Sequence, residues 1–109
     1  MVALGESEIH FPIIFDRRED DVWVHGSIAQ TDQGLIAMEF IQVPGNGDIA
    51  MRLLVEELQK QATLLGRPVM HIYTAANRGS LALVERTDGY AYIGENDDHK
   101  PVYSKVYHP

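Results

Sequence analysis

Glycines, an Asp and an Asn stand where a strand hands over to a helix, in the turn Val43-Pro44-Gly45-Asn46-Gly47-Asp48. A strand that feeds a helix N-terminus through glycines presents backbone N–H groups to a phosphate, because the first N–H groups of a helix have no intrahelical acceptor and lie at the positive end of its dipole. Asp48 opposes that chemistry. A unit charge about 4 Å from another costs about 1 kcal/mol in water and about 4 at an effective dielectric of about 20. With Gly45 rather than a basic residue in the turn, the expectation is that nothing offsets Asp48 and that the N–H groups must hold a pyrophosphate unaided. Asp48 also has a purely structural reading as the helix N-cap, where a carboxylate contributes about 0.3 to 1 kcal/mol through the macrodipole.

Glu39 lies in the apolar run that precedes this turn, among Met38, Phe40 and Ile41. Desolvation there raises a carboxyl pKa toward working pH, the requirement for a general base. The competing reading pairs Glu39 with an Arg or a backbone group at a sheet rim. Asn77 follows a later strand and reads equally as a ligand contact or as a turn or helix cap. Tyr73 and Tyr90 read as strand core residues as well as proton donors. The histidines, His10, His25, His71, His99 and His108, show no H-x-H or H-x-x-x-H spacing, so no metal site is expected. There is no cysteine and no G-x-S-x-G turn, which sets nucleophilic hydrolysis aside.

The elements that must position these residues follow from periodicity. Residues 8–15 have strand character, with Pro12 indicating a sheet edge, and 16–21 form a charged turn into a strand over 22–29. After Asp32-Gln33-Gly34, the run 35–43 is apolar on both parities and is expected to be a central strand buried on both faces. Met51, Leu54, Val55, Leu58, Ala62 and Leu65 recur at helical spacing, so a helix spans 48–65, capped by Gly66 and followed by Pro68. A strand over 68–74 then runs parallel to 35–43 through a right-handed crossover. A short helix over 79–87 ends at Asp88-Gly89, and a hairpin of 90–94 with 101–107 closes the fold. The predicted class is α+β: one domain over 1–109, with a mixed, mostly antiparallel sheet, one parallel strand-helix-strand crossover and two helices.

This order of elements resembles that of a small, degenerate member of the GNAT family of acyl-CoA N-acetyltransferases. The resemblance covers the meander 8–43, the helix 48–65, the strand leading to Asn77, and Gly89-Tyr90, which is similar to the family's Gly-Phe at the penultimate strand. It implies that Gly45-Asn46-Gly47-Asp48-Ile49-Ala50 occupies the Q/R-x-x-G-x-G/A pyrophosphate turn. Ala50 matches that motif, while Gly45 replaces its basic or Gln residue and Asp48 a glycine. Acetyl-CoA is the implied cofactor, held by Val43, by residues 45–50 and by Asn77, with Glu39 as base. The family's acidic Tyr on the last helix falls at Val84 or Glu85 here, leaving Tyr90 as the catalytic tyrosine, with Tyr73 close in sequence. The two helices that the family places between its first strands are missing, which opens the acceptor side.

Two functions follow from the resemblance. One is a minimal acyl-CoA-dependent N-acetyltransferase. The alternative is a non-catalytic GNAT-like interaction or assembly protein, similar to phage-encoded or virion-associated ones, in which an exposed sheet face and edge bind a protein partner or a second copy. The net charge of −7, with clusters at Glu19-Asp20-Asp21 and Glu95-Asn96-Asp97-Asp98, excludes nucleic acid as an expected partner. No apolar run approaches the roughly 18 residues that span a bilayer, so no membrane segment is expected. The lack of a basic, apolar leader and of cysteines favours a cytoplasmic setting.

Overall fold

A computed structural model describes residues 11–42 and 46–109, and the side chains of 39–42 are outside that description. The strands are β1 (Ile13–Glu19), β2 (Val22–Thr31), β3 (Gly34–Gln42), β4 (Val69–Thr74), β5 (Ala91–Glu95) and β6 (Pro101–Tyr107), and the helices α1 (Gly47–Leu65) and α2 (Arg78–Glu85). They form an α+β structure with one mixed sheet of order β1-β2-β3-β4-β6-β5, antiparallel everywhere except between β3 and β4.

β1 is an edge strand, but its limits differ from the expected 8–15, of which 8–10 lie outside the described residues. The charged residues read as a turn are largely strand, and the turn itself is Asp20-Asp21, with Asp20 at φ 53°. Alternation explains this. Arg17 reaches Glu56 and Glu57 of α1 at 3.1 and 3.5 Å and Glu19 binds Arg52 of α1, while Asp16 and Arg18 pair with each other on the opposite face. Each charge in the strand has a partner, so the ladder costs no stranded ion.

Both helices pack on one face of the sheet. The core there comprises Phe15, Val22, Val24, Ile28, Leu35, Ala37, Val69, Tyr73 and Tyr107 from the strands, with Met51, Leu53, Leu54, Leu58 and Ala62 from α1 and Leu83 and Val84 from α2. The expectation that residues 35–43 are buried on both faces is corrected, because Leu35 and Ala37 are buried whereas Ile36 is half-buried and Met38 is 56% exposed. Its apolar residues on both parities mark a strand with one covered and one bare face. Gly66 ends α1 at φ 65°, the left-handed conformation that favours glycine, and its N–H donates to Ala62 O and Thr63 O.

β3 and β4 pair only through Leu35 with Val69, Ile36 with Met70 and Ala37 with His71. β3 continues to Gln42 and β4 to Thr74 without further pairing to each other. The two parallel strands therefore separate beyond Ala37 and His71. Among the described residues, no helix is long and apolar enough to cross a membrane.

Candidate functional site

Tyr73 stands two residues beyond His71, on the part of β4 that β3 no longer pairs. Together with the starts of α1 and α2 it lines a cavity of about 560 Å³ whose wall includes Asn46, Gly47, Asp48, Ala50, Asn77, Ser80 and Arg86. The volume lies within the roughly 300 to 1,000 Å³ of small-molecule sites.

Both helix starts are built by asparagine. Asn46 caps α1, its Oδ1 accepting from Ile49 N at 3.3 Å while its carbonyl accepts from Ala50 N. Asn77 caps α2, its Oδ1 accepting from Ser80 N at 2.9 Å. Asp48 is therefore not the N-cap, as one reading of the sequence had it. Asn46 already satisfies the third N–H of the helix, and the Asp48 carboxylate turns outward to Arg86, which donates through Nη2 at 2.8 Å and Nε at 3.1 Å. The expectation that nothing offsets the Asp48 charge is corrected in the same stroke. Arg86 lies just past α2 and 38 residues away in sequence, so no local motif could have shown it. Both side chains are more than half exposed, which limits the pair's own stabilisation to about 0 to 1 kcal/mol. Its consequence is electrostatic: the cavity has two helix N-termini and a neutralised carboxylate.

Of the sequence-derived cofactor residues, Asn46, Gly47, Asp48, Ala50 and Asn77 share this cavity. Ile49 does not line it and packs half-buried against the core. Val43 and Gly45 lie outside the described residues. Glu39 is in register with Gly26 on β2 and two residues beyond Ala37, so it holds on β3 the level that Tyr73 holds on β4.

Tyr90 is not on the cavity wall. Its hydroxyl lies 2.6 Å from Nδ1 of His71 and 2.8 Å from the Tyr107 hydroxyl, and its ring meets that of Tyr73 edge-on at 6.4 Å. His71 has no exposed surface and contacts the rings of both Tyr73 and Tyr90. Gly89, at φ 88°, makes the turn that brings Tyr90 to this cluster, and a Cβ there would stand 2.9 Å from Cε of Lys105. Sequence reading gave His71 no partner because Tyr90, 19 residues away and just ahead of β5, reaches it only through the order of the last strands in the sheet, which no local pattern encodes. Ser80, Gly79 and Leu83 were likewise missed, since the short helix carries no ligand motif.

Compared with known proteins, the chain matches no family model, no curated protein and no solved structure.

Proposed function

We propose that this chain is a minimal acyl-CoA N-acyltransferase of GNAT-like architecture. The observation that carries the reading is the cavity itself, in which two helix N-termini meet beside the point where paired parallel strands separate. The N–H groups at the start of α1 and α2 suit the pyrophosphate of acetyl-CoA, and Arg86 brings a cation within reach of it while holding Asp48. An acyl-CoA would supply the acyl group as a thioester. Glu39 takes a proton from the acceptor amine, the amine nitrogen bonds to the acyl carbon, the carbon–sulfur bond breaks, and a tyrosine hydroxyl returns a proton to the leaving thiolate. Tyr73, on the cavity wall, is the nearer donor, and Tyr90 supports it from behind through His71 and the ring contact.

Calorimetric titration with acetyl-CoA tests the proposal. Binding by the native chain, weakened about fivefold or more in Arg86→Ala because Asp48 then faces the phosphates unneutralised, supports it. Restored affinity in the double variant Asp48→Gly, Arg86→Ala would tie the effect to that charge. No heat from either the native chain or Asp48→Gly would remove the reading. The non-catalytic alternative is favoured by one observation, the uncovered face of the sheet, and binding without acyl transfer to any amine acceptor would select it.

A further inference from the structure

A groove of about 540 Å³ lies between α1 and β6 and shares no lining residue with the cavity at the helix starts. Val55 and Leu64 of α1 and Tyr107 of β6 give it apolar walls. Leu64, at 69%, is the only strongly exposed large apolar side chain on either helix. The uncharged polar side chains of the helix wall are already engaged, Gln59 Nε2 donating to His108 O at 2.6 Å and the Thr63 hydroxyl to Gln59 O at 3.0 Å. So is the groove's own carboxylate, because Glu56 accepts from Arg17 at 3.1 Å and from Arg52 at 3.4 Å.

The charge left without a counterion is positive. Lys60 and Lys105, two of the three lysines in a chain of net charge −7, line this groove. Among the described residues, neither ammonium is paired with a carboxylate. Lys105 Nζ donates to Asp88 O at 3.0 Å and stands 4.8 Å from the centre of the Tyr107 ring, which leaves it further N–H groups for a ligand.

We propose that the groove binds a medium-chain carboxylate, its head on the ammonium groups of Lys60 and Lys105 and its tail against Val55, Leu64 and Tyr107. The proposal does not depend on the acyl-CoA reading. Charge selects the head: a carboxylate gains charge-assisted hydrogen bonds from both lysines, whereas an ammonium head would meet two like charges. Non-specific adsorption has the opposite sign, since the net charge of the chain attracts a cationic amphiphile. The walls select the tail, because a short acid would leave them in water. From Val55 to Leu64 the helix rises about 13 Å, which suits an extended tail of about eight to ten carbons. The lysine stems add to the apolar lining while their heads stay at the water-facing rim, where a carboxylate keeps part of its hydration.

Titration of the full chain with octanoate, followed residue by residue through amide chemical shifts, tests the proposal. Saturable binding is expected, with a dissociation constant of about 0.1 to 1 mM and shifts centred on Val55, Gln59, Thr63, Leu64 and Lys105. Butanoate should bind at least about tenfold more weakly, since each buried methylene contributes about two- to fourfold. Octylammonium, with the same tail, should also bind about tenfold more weakly. Lys60→Gln changes an exposed position, so the fold, followed by circular dichroism, persists while octanoate binding weakens about threefold or more, and Lys105→Gln should act in the same direction. Four results would each overturn the proposal: shifts that grow without saturating, octylammonium binding as tightly as octanoate, undiminished binding in Lys60→Gln and in the doubly substituted chain, or shifts centred instead on Ile14, Met38 and Val106 of the bare sheet face.

Discussion

On the face toward the helices, Val24, Ile28, Ala37 and Val69 have no exposed surface, whereas on the other face of the same sheet Ile14 and Met38 are more than half exposed. Both sets are apolar and both alternate along the strands with period 2. What separates them is where α1 lands: the helix returns over one face only, and no second layer of this chain's described residues covers the other. Apolar alternation therefore marks surfaces that need a cover, and the cover itself is a tertiary choice. In this chain one face is closed internally by the helices, and the other is left without a layer among the described residues.

Mutation on the two faces should separate them most clearly at the core. Leu54, fully buried on α1, sits over the covered face, and Leu54→Ala is expected to cost about 2 to 5 kcal/mol in urea unfolding. Met38→Ala, at a position 56% exposed, is expected to stay within about 0.5 kcal/mol of native. Equal losses would mean that the bare face is packed in the free chain.

Gly26 sharpens the point at a backbone level. A Cβ there would lie 2.4 Å from both Met38 O and Cζ of Phe15, so Gly26→Ala forces apart β2, β3 and the buried ring. A loss of about 1 to 3 kcal/mol is expected, against no measurable change for Ser27→Ala on the other face.

Two adjacent arginines make a smaller but cleaner test. Arg17 on the covered side holds Glu57, whose side chain is 6% exposed, while Arg18 on the bare side holds Asp16 with most of its own surface in solvent. Arg17→Ala leaves a buried carboxylate held by Gln61 Nε2 among the described residues and is expected to cost about 1 to 3 kcal/mol. Arg18→Ala should cost about 0.5 kcal/mol or less. Similar values for the two would break the contrast between the faces.

The smallest expected effect is on pH dependence. The Arg17 guanidinium, hydrogen-bonded to Glu56, holds that carboxyl below its ordinary value against opposing desolvation, with Arg52 adding to the effect. Desolvation raises Asp16, but hydrogen bonds from Arg18 and Trp23 outweigh it, so its pKa is lowered as well. A folded-state pKa below the unfolded one stabilises above the unfolded value and loses that contribution as pH falls through the folded one. The urea midpoint is therefore expected to hold from pH 7 to about 5 and to fall below about pH 4. In Arg17→Ala the share of that acid loss due to Glu56 should shrink, with Arg52 keeping part of it, and in Arg18→Ala the share due to Asp16 should shrink, with the Trp23 hydrogen bond keeping part.

Elements governed by local periodicity were readable. The helix over 48–65, its Gly66 cap, the hairpins and the parallel crossover all rest on spacing within a few residues, and the structure has them at Gly47–Leu65 and in the pairing of β3 with β4. Asn77 was readable both as a cap and as a site residue, and it is a cap that lines the cavity. The errors fell where distant partners decide. The charges of β1 were read as turn because their partners lie on α1, some 30 to 40 residues away. Asp48 was read as an uncompensated charge because Arg86 is 38 residues away.

The sequence alone determined most of the local grammar: the long helix and its cap, the strands of clear periodicity, where glycine must turn the chain, and which residue types stand at the helix start. Those depend on backbone conformation and on neighbours within one or two turns. Only the tertiary structure decided that β6 enters between β4 and β5 to bring Tyr107 and Tyr90 to His71, that Arg86 meets Asp48, and that one apolar face of the sheet stays bare. The physical reason is that these outcomes rest on non-local pairing and layer packing, to which register and charge compensation contribute across the whole chain.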